Sequence, residues 1–138
     1  MRSKLALDSM VFIYHFERTE PYFSRVEKIL SSARDGENEL ITSIISVIET
    51  LSAPKYLHLA EVVDEIDLFF READNIKVFE LNGEIAFEAA RLRRENKNLR
   101  TPDSIQLATA LGGGAEVFIT HDRGLQKMKV DKLKIRSL

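Results

Sequence analysis

LRTPDSIQLATAL, residues 99–111, joins a helix-start signal to a run apolar enough to be buried. Thr101 is a candidate N-cap, Pro102 suits the first turn, and Asp103 follows where backbone N–H groups lack intrahelical acceptors. Ile105, Leu107, Ala108 and Leu111 then cover most of that helix with apolar surface. A carboxylate in the first turn gains ~0.3–1 kcal/mol from the helix dipole alone, so Asp103 by itself needs no further role. Three more carboxylates stand in comparable places. Asp8 follows the apolar run Lys4-Leu5-Ala6-Leu7, Asp122 follows Val117-Phe118-Ile119-Thr120, and Glu49 lies on the helix after Leu40-Ile41-Thr42.

Beyond the 99–111 helix, Gly112-Gly113-Gly114 breaks the chain before the strand at Val117–Thr120. His121–Gly124 reads as a loop, and Leu133–Arg136 as an edge strand. Before it, Asn82-Gly83 opens a helix through Ile85, Ala89 and Leu92 that turns basic at Arg91, Arg93 and Arg94. Asn75–Phe79 reads as a strand. Tyr56, Leu59, Val63, Ile66 and Phe70 form a helical stripe suited to core or to a dimer surface. Nearer the start, Ser9 opens an apolar helix through Tyr14, expected to be buried, and a second helix carries Tyr22, Val26, Ile29, Leu30 and Ala33 to a stop at Asp35-Gly36. Ser43 is a candidate N-cap for Ile44–Ser52, which Pro54 ends.

Short strands alternating with helices predict a three-layer α/β/α sandwich around a mainly parallel sheet of about five strands. The 138 residues read as one domain, 1–138. In such a sheet, ligands gather at the carboxyl ends of the strands, near the topological switch point. Asp8 and Asp122 end strands there, and Glu49 and Asp103 lie on helices starting at the same edge. Convergence of the four is the central expectation.

Composition narrows the partners. The net charge of −2 excludes attraction to nucleic acid by overall charge, so phosphate must be met by a local basic patch or bound cations. Cysteine is absent, which removes disulfides and thiolate metal sites. No apolar run approaches the ~18 residues of a membrane span, and MRSKLALDS lacks a signal-peptide core. A cytoplasmic protein without a membrane association is expected.

Crowded carboxylates repel unless one is protonated or a cation neutralises them. Oxygen ligands without Cys or a His pair suit Mg²⁺ or Mn²⁺ rather than Zn²⁺. Such ions keep several waters, which leaves room for a phosphate oxygen and an attacking water.

LALDS (Asp8, Ser9), TSIISVIETL (Ser43, Glu49), TPDSIQLATAL (Asp103) and FITHDRGL (Thr120, Asp122) together resemble the PIN-domain family, and by size the VapC-type ribonuclease toxins. Each motif alone is common; four in this order, spanning the chain, are fairly specific. The resemblance implies a parallel five-stranded sheet flanked by helices and Mg²⁺- or Mn²⁺-dependent hydrolysis of RNA. It implies metal-binding and catalytic roles for Asp8, Glu49, Asp103 and Asp122, with Thr120 and Ser9 supporting them. It also implies a homodimer and a small antitoxin partner. His121 and Arg123-Gly124-Leu125 depart from the small residue and aromatic usual around Asp122.

Each residue also has a plainer reading. Asp8 suits a strand-end cap, Asp103 first-turn dipole complementation, and Asp122 a turn. Glu49, among Ile44, Ile45, Val47, Ile48 and Leu51, is either exposed or paired. Ser43 and Ser46 read as caps or packed hydroxyls, and His15, His58 and His121 lack ligand spacing. Arg91, Arg93, Arg94, Lys97 and Arg100 form the best phosphate-binding candidate, with Arg94, Arg100 and Arg91 as the RNA-contacting choices and a solvated helix face as the alternative. A receiver-like phosphoacceptor fails because it needs paired acids after the first strand and a late Lys. An Asp-x-Asp phosphatase fails at Met10. A PIN-like RNA-binding or interaction module with weak or no catalysis remains open.

Overall fold

The computed structural model describes residues 2–53 and 59–138. β1 (Ser3–Leu7) leads into α1 (Ser9–Glu17) and α2 (Tyr22–Arg34), and β2 (Asn38–Ser43) into α3 (Ile44–Leu51) and α4 (Ala60–Glu72). β3 (Ile76–Phe79) is followed by α5 (Gly83–Glu95) and α6 (Thr101–Gly112), then β4 (Val117–Thr120), the one-turn α7 (Arg123–Gln126) and β5 (Lys134–Ser137). The strands pair in the order β3-β2-β1-β4-β5, every pairing parallel. The sheet therefore grows outward from β1 in both directions, and its switch point lies between β1 and β4.

Period-two alternation in the strands builds the two outer layers. Leu5, Leu7, Leu40, Ile76 and Ile119 pack on one face against Val11 and Phe12 of α1 and Val26 and Leu30 of α2. Ala6, Ile41 and Phe118 point the other way, onto Ile85, Ala89 and Leu92 of α5 and Leu107, Ala108 and Ala110 of α6. A large side chain buried this way contributes about 1.5–3 kcal/mol, and both faces of the central strands do so. Registers follow the same logic: Leu5 lies opposite Leu40 on one side and Val117 on the other.

The 56–70 stripe divides. Ile66 is fully buried with Val62, Val63 and Phe70 around it, joining α3 to α4, whereas Leu59 is half exposed. Tyr56 and His58 lie outside the described residues. In α1, only Ser9, Val11 and Phe12 are fully buried, because α2 and α4 cover one side of it.

The start of α6 differs from expectation. Arg100, not Thr101, flanks α6 at the N-cap position and makes no side-chain cap. Thr101 is already helical, its carbonyl accepting the Ser104 hydroxyl at 2.7 Å. α1 opens at Ser9 as expected, and Asp8 caps it, its extended backbone turning Oδ1 onto the Ser9 N–H at 2.8 Å. Ser43 and Asn82 cap α3 and α5 as expected.

Gly113 ends α6 against the sheet. A Cβ there would lie 2.5 Å from the Ile41 side chain and 3.1 Å from the Thr109 carbonyl. Gly83, by contrast, has open space around it. Gly113→Ala is therefore expected to lower unfolding stability by about 1–3 kcal/mol, with Gly83→Ala neutral or slightly stabilising, in denaturant titrations.

Candidate active site

Asp8 leaves β1 at the switch point between β1 and β4. Its backbone N–H still bonds the Ile119 carbonyl of β4 at 3.0 Å, so the turn into α1 starts in register with the neighbouring strand. The carboxylate is buried, yet both oxygens are met. Oδ1 accepts from Ser9 N–H, and Oδ2 accepts from the Thr120 hydroxyl at 2.7 Å. Thr120 Oγ1 in turn accepts the Asp122 N–H at 3.0 Å. Burial pushes the Asp8 carboxyl up from the ordinary 3.8 to about 6. The Thr120 and Ser9 bonds oppose that rise, and the charges of Asp103 and Glu49 add to it.

Glu49 is reached from α1. The Ser9 hydroxyl donates to its Oε1 at 2.5 Å, which answers whether a charge on that helix is exposed or paired. Asp103 sits in the first turn of α6, where the Arg100 guanidinium donates to Oδ2 at 3.2 Å. Asp122 is exposed and, rather than lying in an open loop, caps α7 through the Leu125 N–H at 2.9 Å. The plain capping roles of Asp8 and Asp122 are thus real, and each leaves the carboxylate at the same edge.

The charges share one field. Asp8 senses Asp103 and Glu49, and Arg100 senses Asp103, Asp122 and Glu49. Among the described residues, no three His, Asp or Glu side chains close into a ready-made metal cage. The donors are all oxygen, and a buried carboxyl that resists ionisation stands among other acids. That set fits a hydrated hard cation held by one or two carboxylates directly, as Mg²⁺ commonly is.

A cleft of about 410 Å³ reaches two of these acids, Asp103 and Asp122, and is lined by Asn96, Lys97, Arg100 and Met128 among others; Asp8 and Glu49 are not in its lining. Only part of the basic cluster reaches it. Arg91 is engaged on its own helix by Glu88 and Glu95, and Arg93 braces the α5–α6 connection through the Leu99 carbonyl at 3.0 Å. Arg94 is exposed, and neither it nor Arg91 lines the cleft. His121 packs edge-on against Tyr14 and Tyr22, and His15 stacks on Phe23.

One group escaped the sequence reading. Gln106, only 2% exposed, donates from Nε2 to Ser9 Oγ at 3.0 Å and to Ser46 Oγ at 2.9 Å. The signal was a long amide between Ile105 and Leu107 on a helix otherwise buried through small or apolar residues. Ser46 and Thr42, read as packed hydroxyls or strand residues, belong to the same network.

The PIN domain family model matches residues 5–131, and the chain belongs to that family. No curated protein sequence matches it. Among solved structures, VapBC2 from Rickettsia felis, bound to a promoter DNA fragment, is similar at 15% identity and a TM-score of 0.72, with 97% of this chain and 98% of that one covered. DNA-bound VapBC from Salmonella typhimurium gives 18% identity and a TM-score of 0.71, covering 98% of each chain. The sarcin-ricin loop cleaving toxin VapC20 from Mycobacterium tuberculosis gives 10% identity and 0.66, covering 93% and 92%. At these identities the likeness is one of fold.

The raised Asp8 pKa has a testable consequence for stability. Below pH about 4 the carboxyl is protonated in both folded and unfolded chains. Between the ordinary 3.8 and about 6, only the folded state keeps its proton, so rising pH removes stability that is complete at the acid end. Asp8→Asn is therefore expected to gain on the unsubstituted protein as pH rises from 4 to 7, by up to about 3 kcal/mol in chelator. Paired denaturant titrations across that range measure the difference, and a constant offset contradicts it.

Proposed function

We propose that this PIN-domain protein is a divalent-metal-dependent endoribonuclease, the toxin of a type II toxin–antitoxin pair. The observation that carries the reading is a buried Asp8, held by Thr120 and Ser9 at the switch point, within the electrostatic reach of Glu49 and Asp103. Bound there, Mg²⁺ or Mn²⁺ would supply an activated water and a counter-charge for the phosphodiester in the transition state.

The chain's own residues divide the rest of the work. Asp8, Asp103, Glu49 and Asp122 would together hold the cation, directly or through its waters. Thr120 keeps Asp8 Oδ2 in place, and Ser9 does the same for Glu49. Lys97 and Arg100 give the cleft the positive charge that the chain as a whole lacks, and they meet the RNA backbone. Met128 and Leu125 line the same cleft with apolar surface against which an unstacked base can lie.

A second reading, an RNA-binding or interaction module with weak or no catalysis, is favoured by one observation. The Arg100 guanidinium already neutralises Asp103, as a cation would. The proposed partners are a homodimeric copy and a small antitoxin. The fold likeness to toxin–antitoxin proteins supports the antitoxin, and Ile48 of α3 and Leu68 of α4, both more than half exposed, offer apolar surface for such contacts.

Asp8→Asn and Asp103→Asn are expected to abolish metal-dependent cleavage of an unstructured RNA while keeping the fold, because Asn preserves size but not charge. Lys97→Ala is expected to weaken RNA binding and flatten its salt dependence, with the single-turnover rate at saturating RNA retained. Single-turnover assays with Mg²⁺, Mn²⁺ or chelator decide between the readings. RNA binding without cleavage by the unsubstituted protein selects the binding module. Equal cleavage by the Asn variants overturns the assigned site.

A further inference from the structure

The polar groups between α1, α3 and α6 form one chain whose proton directions can be worked out. Thr42 gives its only hydroxyl proton to the Leu7 carbonyl at 2.7 Å. Its oxygen therefore accepts from Ser46, 2.7 Å away. Ser46 and Ser9 each receive one N–H of the Gln106 amide, at 2.9 and 3.0 Å. With its acceptor side taken by Gln106, Ser9 sends its proton outward to Glu49 Oε1. Both ends of the chain accept only, a backbone carbonyl at one and a carboxylate at the other, and the single double donor stands between them.

The three central groups are almost wholly withdrawn from solvent: Gln106 is 2% exposed, Ser9 4% and Ser46 0%. Bulk solvent does not compete with the amide for Ser9 and Ser46. A Glu side chain has three rotatable bonds and ordinarily samples many positions; here one oxygen is tied to α1, and α1 is tied to α6. Glu49 Oε2 makes no hydrogen bond among the described residues, so it is the oxygen left open.

We propose that Gln106 is a positioning residue for the acidic site: by donating to Ser9 it turns the Ser9 hydroxyl onto Glu49 and presents Glu49 to a divalent cation. The inference rests on the metal-dependent reading above, and it assigns the direction of control. The Ser9 branch of the amide serves the site. The Ser46 branch anchors the amide to α3 and β2 and does not touch the acids.

The test is Mn²⁺ binding by calorimetry on the full chain, without RNA and at constant ionic strength, with folding followed by circular dichroism. Gln106→Met keeps length and volume, and leaves Ser9 and Ser46 their own acceptors, so no buried donor is stranded. Ser9→Ala and Gln106→Met are each expected to weaken Mn²⁺ binding by about tenfold, the lower end of what removal of a ligand-orienting group costs. The double variant is expected to bind no more weakly than the weaker single one, because both break the same link. Ser46→Ala is expected to lower the melting temperature while its Mn²⁺ affinity stays within about twofold of the unsubstituted protein.

Additive losses in the double variant, or Mn²⁺ affinity unchanged in Gln106→Met, overturn the positioning role while leaving the metal site standing. If Gln106→Met fails to fold, Ser9→Ala against Ser46→Ala carries the comparison, and equal Mn²⁺ affinities for those two overturn the proposal. An unsubstituted protein that binds no Mn²⁺ overturns the metal-dependent reading itself, and the proposal with it.

Discussion

The pairing of β1 with β4 sets the position of everything at the carboxyl edge of the sheet. It brings Leu7 opposite Ile119, continues one residue further through the Asp8 N–H to the Ile119 carbonyl, and ends in the side-chain bond from Thr120 to Asp8. These two strands are 112 residues apart at that contact, so no local preference places it. Leaving a buried carboxylate oxygen without its donor costs about 1–3 kcal/mol or more, which makes the Thr120 hydroxyl a condition of the turn as well as of the site. The same hydroxyl receives the Asp122 N–H and so fixes the start of α7.

Capping and the proposed metal-binding role fall on the same atoms here. Asp8 caps α1 and Asp122 caps α7, so each spends one oxygen on the backbone and keeps its charge at the edge. A capping carboxylate is stabilised by the N–H groups it accepts, which is how a buried acid at this position is tolerated at all. Burial nonetheless outweighs those bonds, and the carboxyl rises to about 6. A cation bound at the site would relieve that unfavourable charge and so couple binding to stability.

Charge is distributed locally rather than globally. The chain is net acidic, but Lys97 and Arg100 bring two cations to a cleft that Asp103 and Asp122 also line. Two basic residues of α5 are held by neighbours, Arg91 by Glu88 and Glu95 and Arg93 by the backbone at Leu99. The α5 run that looks like a basic patch in one dimension is thus partly neutralised in three.

Much was legible in the sequence because the information is local. Alternation of apolar residues marked the strands, capping residues such as Ser43 and Asn82 marked helix starts, and the glycine run marked the end of α6. Those signals, with strands and helices in alternation, were enough for a parallel α/β sandwich and for Asp8 and Asp122 at the carboxyl edge of its strands, where the charges of Asp103 and Glu49 reach Asp8. The family resemblance rested on four motifs in order along the chain. Tertiary structure alone decided which donors satisfy them. Whether Arg91 reaches the cleft depends on Glu88 and Glu95 competing for it, and whether Gln106 matters depends on α1 and α3 arriving beside α6 with Ser9 and Ser46 in reach. A hydrogen bond between residues 97 positions apart has no periodicity to betray it; it exists only because the packed core excludes water and leaves those groups one another.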